Sequence, residues 1–115
     1  MNIDENYEIH VELMDPCPVE TTLKLISNKW KILILRELLT GTKRFGELKN
    51  GISSISQKVL TQNLRSMEED RIVDREVFPE VPPRVEYSLS DFGNSLKPII
   101  AAMEIWGLNY LENQK

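Results

Sequence analysis

The sequence predicts a mainly α fold with one small β-hairpin, and three observations carry the prediction. Apolar residues recur at helical spacing through residues 17–71, the period changes to two on either side of a proline-rich stretch, and helical spacing returns from Asp91 onward. A length of 115 residues suits a single domain with one core. We place an acidic N-terminal arm at residues 1–16 and the folded domain at residues 17–115, with residues 91–115 as a C-terminal dimerisation helix.

The arm, MNIDENYEIHVELMDP, has scattered apolar residues and reads as flexible or as ordered only against a partner. Order begins at Cys17, because Pro18 at a first helical position and Glu20 in the first turn are both helix-start signals. Val19, Leu23 and Ile26 mark the expected buried stripe of a short helix ending near Asn28. Residues 30–39, WKILILRELL, are apolar around most of a helical circumference, as a central helix covered by neighbours must be. Gly41 ends it. A third short helix is expected over residues 45–49, with Gly51, Ile52, Ser53 and Ser54 forming the turn that follows.

In the next segment, SSISQKVLTQNLRSMEE, a helix starting near Ser56 places Leu60, Leu64 and Met67 on one core-facing stripe. Gln57, Lys58, Thr61, Gln62 and Arg65 then share an outward strip without a carboxylate. Solvated faces usually mix Glu with Lys for pairing, whereas here the acids wait until Glu68, Glu69 and Asp70. The strip can read DNA: Gln pairs bidentately with adenine and Arg with guanine, Thr reaches a base edge or thymine methyl, and Lys holds phosphate. An ordinary solvated face is the plain alternative.

After Arg71, Val73, Arg75 and Val77 alternate with Asp74 and Glu76, and Val85, Tyr87 and Leu89 alternate with Arg84, Glu86 and Ser88. Two strands therefore flank the stiff tip PEVPP, whose prolines restrict the loop and remove donors. Helix, short turn, helix with a cationic outer face and then a ribbon is the order of a winged helix-turn-helix. Ser90 caps a last helix from Asp91, which Pro98 kinks or restarts. Its apolar residues Leu96, Ile99, Ile100, Met103, Trp106 and Tyr110 exceed what one small domain needs, so we expect them to form a homodimer interface, the plain alternative being that the helix folds back onto the core.

The net charge of −4 is unevenly distributed. Residues 1–20 carry six acids and no base, residues 21–65 nine bases against two acids, and residues 66–115 five bases against ten acids. The central block is a local cation on an acidic body, suited to phosphate. With one cysteine and one histidine there is no internal disulfide and no metal set, and no Gly-rich phosphate loop or nucleophile with a base is present. We expect no enzymatic activity, no cofactor, no membrane association and a cytoplasmic location.

Cys17-Pro18-Val19-Glu20, Lys29-Trp30-Lys31, Lys43-Arg44-Phe45 with Glu47-Leu48, Ile55-Ser56-Gln57-Lys58 with Leu60-Thr61 and Leu64, Arg75-Glu76-Val77, residues 80–89 (EVPPRVEYSL) and Trp106-Gly107 together resemble the HxlR-type transcriptional regulators. The most specific piece is EVPPRVEYSL. The resemblance implies a winged helix-turn-helix homodimer related to the MarR group that binds inverted-repeat operators on double-stranded DNA, here expected to repress. It also implies a candidate sensor of electrophiles or oxidants in Cys17. A thiol at a helix start lies near the positive end of the helix dipole, although a lone cysteine is more often an inert packed residue.

The expected DNA-binding residues are therefore Arg44, Ser56, Gln57, Lys58, Thr61, Gln62 and Arg65, with Arg84 as the wing's contact or, nearly as well, a structural partner of Glu80 or Glu86. The competing function is a winged-helix module for protein contacts without specific DNA binding. That module would tolerate loss of Arg65 and Lys58.

Overall fold

The computed structural model describes residues 5–114; residues 1–4 of the arm, and Lys115, lie outside the described residues. The order is α1 (Pro18–Ile26), α2 (Lys29–Leu38), β1 (Lys43–Arg44), α3 (Phe45–Gly51), α4 (Gln57–Glu69), β2 (Val73–Phe78), β3 (Arg84–Leu89), α5 (Asp91–Asn94) and α6 (Lys97–Glu112). Residues 5–16 are exposed up to Pro16 and form no helix or strand.

Cys17 is the N-cap of α1 with Pro18 in its first turn. Of the expected stripe only Ile26 is buried; Val19 is 66% and Leu23 55% exposed. The spacing is helical, but only the C-terminal end of α1, with Leu25 and Ile26, joins the core. Asn28 starts α2 by accepting a hydrogen bond from the Lys31 backbone N–H at 2.8 Å, and its amide donates to Asn63 Oδ1 of α4 at 3.1 Å. This ties the α1–α2 junction to α4.

Helix α3 runs two residues further than expected, so Gly51 is helical and the turn is carried by residues 52–56, with Ser54 at φ 72°. A Cβ at Gly51 would collide with the Glu37 carboxylate of α2, which shows how closely α3 passes α2. Ile52 and Ile55 are buried under the turn. Ser56 then caps α4, its Oγ accepting from the Val59 N–H at 3.1 Å. Leu60, Leu64 and Met67 are buried as their spacing requires.

The hairpin becomes a three-stranded antiparallel sheet of order β1-β3-β2, because Lys43 pairs with Tyr87 and Arg44 with Glu86. Two residues are too few to show alternation, so β1 was not legible in the sequence. Ser90 caps α5, accepting from the Gly93 N–H at 2.9 Å and donating to the Arg71 carbonyl at 2.6 Å. Gly93 lies so close to the Ile72 carbonyl that a Cβ there would overlap it. The chain restarts as α6 with Pro98 in the first turn.

One core joins Ile34, Leu35, Leu48, Leu60, Leu64, Met67, Ile72 and Val73, all fully buried. It also takes Leu96 (8% exposed) and Ile100 (6%), with Ile99 packed against it. These three were expected at a dimer interface; the first turns of α6 instead cover the domain's own core. Met103 (45%), Trp106 (68%) and Tyr110 (51%) are exposed, as are Ile105, Leu108 and Leu111. No helix among the described residues is long and apolar enough to cross a membrane.

Candidate nucleic-acid interface

Capping by Ser56 and burial of Leu60, Leu64 and Met67 fix the rotation of α4, and so decide which residues it presents. Gln57, Lys58, Gln62 and Arg65 are exposed, and Thr61 is half-buried. The strip faces solvent as one surface. Neither Lys58 nor Arg65 has a carboxylate within ion-pair distance among the described residues. Ser56 Oγ spends acceptor capacity on the helix cap, but its own proton is free to donate. Arg44 is exposed at the start of α3, where its backbone N–H donates to Glu47 Oε1 at 2.9 Å.

The two flanks of α4 differ. A cavity of about 500 Å³ opens between α4 and the sheet, walled by Gln57, Thr61, Arg65 and Glu68 on the helix and by Arg75, Val85 and Tyr87 on the strands. Arg75 was not among the expected site residues. The signal was present, since a cation interrupts the Val73–Val77 row, but alternation alone does not reveal that this row faces α4.

Arg84 sits elsewhere. Its Nη1 is 3.2 Å from Glu80 Oε1 and its Nε 3.3 Å from Glu86 Oε2, and its guanidinium lies over the Phe78 ring. The Nε is buried and not aligned for a hydrogen bond with that carboxylate. The cation is neutralised at the base of the tip, the structural pairing foreseen as the alternative to DNA contact.

Cys17 is partly exposed, and its carbonyl accepts from Thr21. A larger open cleft of about 770 Å³ lies between α2, residues 51–54 and the start of α6, with Lys29, Arg36 and Lys97 mixed among Glu37 and Glu104. Its mixed charges favour no single ligand, and it does not adjoin the α4 strip.

A helix-turn-helix with a free polar strip and an adjoining ribbon matches known proteins over nearly the whole domain. The family model described as HxlR-like helix-turn-helix matches residues 25–115. The chain belongs to the HxlR-like family. This HxlR-like protein is a transcriptional regulator with a helix-turn-helix domain. It is 49% identical over 94 residues to the uncharacterized HTH-type transcriptional regulator YdeP of Bacillus subtilis, covering 82% of this chain and 73% of the relative. Among solved structures it resembles the redox regulator HypR in its reduced form, with a TM-score of 0.80 and 46% identity, over 84% of this chain and 99% of that one. It likewise resembles a MarR-family regulator from Enterococcus faecalis, with a TM-score of 0.78 and 37% identity, over 93% and 97% of the two chains. The HxlR-like match includes α2 to α6, and so spans α4 with its polar strip, the sheet and the ribbon.

Proposed function

We propose that this HxlR-like protein is a homodimeric repressor that binds an inverted-repeat operator in double-stranded DNA, with α4 in the major groove. The observation that carries the reading is the strip of Gln57, Lys58, Thr61, Gln62 and Arg65, exposed and free of carboxylates on a helix whose rotation is locked by its cap and core residues. Base reading falls to Gln57, Gln62, Arg65 and Thr61; Lys58, Arg44 and Ser56 hold phosphate. The apolar outer half of α6, with Met103, Trp106 and Tyr110, supports pairing with a second copy. A two-fold dimer would place its reading helices about 34 Å apart, one turn of DNA, or a multiple of that.

Cys17 is the proposed sensor, supported by its partial exposure and by the likeness to HypR, a redox regulator. As the chain's one cysteine it responds through Cys17 of the second copy, a mixed disulfide with a small thiol, or alkylation.

Selection of binding sites from a random duplex pool, followed by footprinting, tests the reading. The expected result is an inverted repeat protected on both half-sites, with affinity falling steeply as salt rises. Recovery of no preferred sequence and no salt-dependent binding would overturn it. For the sensor, Cys17→Ser should bind the same operator and lose release by oxidant or alkylator; release that persists assigns the signal elsewhere.

A further inference from the structure

We propose that Arg75 is a DNA-backbone contact which seats the phosphate strand passing between the reading helix and the ribbon, across the cleft from the base-reading Arg65. The inference rests on the DNA-binding reading above and adds a residue and a place to it.

Sheet register supplies the first observation. Lys43, Tyr87 and Arg75 are directly opposite one another across β1, β3 and β2, so they project from the same face. Tyr87 is buried, which identifies that face as the one turned toward the helices. Arg75 therefore stands in an inward row between Val73, which is buried, and Val77, which is half exposed. Yet Arg75 itself is exposed. It marks the rim where the edge strand leaves the body of the domain.

The second observation is what Arg75 meets there. Arg65 and Arg75 line the same cavity from opposite walls, and neither has an ion pair within reach among the described residues. Arg84, by contrast, is compensated by Glu80 and Glu86. The ribbon's uncompensated arginine is thus at its base, beside α4.

Geometry then selects the ligand. With α4 in the major groove and the ribbon reaching past its edge, the strand bounding that groove crosses the space between helix and ribbon. A guanidinium lining that cleft suits a phosphodiester, because it offers paired N–H donors to two oxygens. Glu68, at the same cavity, limits how deeply an anion can enter and is the competing structural partner for Arg75.

The test uses the full chain with Arg75→Ala, Arg75→Lys and Glu68→Gln. Binding is read by anisotropy on the selected operator and on a random duplex between about 50 and 200 mM salt, with thermal unfolding measured in parallel. Arg75→Ala should weaken both duplexes alike, roughly tenfold near 0.1 M salt, and lower the salt slope by about one. Arg75→Lys should keep the slope, Glu68→Gln should bind both duplexes more tightly, and the unfolding midpoint of all three should match the parent. Undiminished binding by Arg75→Ala, while the parent binds DNA, overturns this inference alone. A lower midpoint shared by Arg75→Ala and Glu68→Gln also overturns it, in favour of a structural pair. Failure of the parent to bind any duplex would remove the DNA-binding reading as well.

Discussion

Arg84 places its guanidinium 3.9 Å from the centroid of the Phe78 ring, and these two residues are the last cross-strand pair of the ribbon. Glu80, from the tip, and Glu86, from the same strand as Arg84, close around the charge. The arrangement staples the point where both strands enter the proline-rich tip.

Arg84→Ala should therefore act on the ribbon and not on phosphate binding. With the side chain about a quarter exposed, we expect a loss of about 1 kcal/mol for the stacked, ion-paired cation. Chemical denaturation measures this, and the salt slope of DNA binding should not change. A slope lowered by about one would return Arg84 to the DNA contacts.

Gln62 and Lys58 share the exposed strip of α4 but should fail differently. Gln62→Ala is expected to cost about 1 to 3 kcal/mol on the operator and to relax preference at one base pair. Lys58→Ala should weaken operator and random duplex alike and lower the slope by about one. Equal losses on both duplexes for Gln62→Ala would remove it from the reading set.

Gly93 and Gly51 make a paired test of packing. An alanine at Gly93 meets the Ile72 carbonyl, which is backbone and cannot swing away, so Gly93→Ala should destabilise by about 1 to 3 kcal/mol. At Gly51 the obstacle is the movable end of Glu37, and the gain in helix propensity is up to about 1 kcal/mol. Gly51→Ala should be within about 1 kcal/mol of the parent. Urea midpoints of the two variants decide, and the reverse ranking would be the wrong result.

Trp106 stacks on Tyr110 with ring centroids 5.4 Å apart, on a stretch of α6 that the domain's own core does not cover. Trp106→Ala combined with Ile105→Glu should give a folded monomer by sedimentation at micromolar concentration, with operator protection reduced or lost. A parent that sediments as a monomer and protects a single half-site would end the dimer proposal.

Much of this architecture follows from short-range rules. The cap at Ser56, the stripe of Leu60, Leu64 and Met67, the period-two runs around the PEVPP tip and the restart at Pro98 each depend on residues within one or two turns of each other. The acid-free strip was legible for the same reason: once the buried face of a helix is known, its outer face follows.

What the sequence determined by itself was therefore the type and order of the elements other than β1, and the polarity of the faces of α4 and the ribbon. Only the tertiary structure decided what each face meets. Leu96 and Ile100 belong to the same helical stripe as Met103 and Trp106, but the first pair lies over the core and the second extends beyond it. Arg84 and Arg75 are both ribbon cations, yet one is neutralised at the tip and the other opens onto α4. Residues 43–44 become a strand only because β3 offers them an edge. Periodicity is a property of one segment, whereas burial and charge compensation belong to pairs of segments whose distance is set when the whole chain packs.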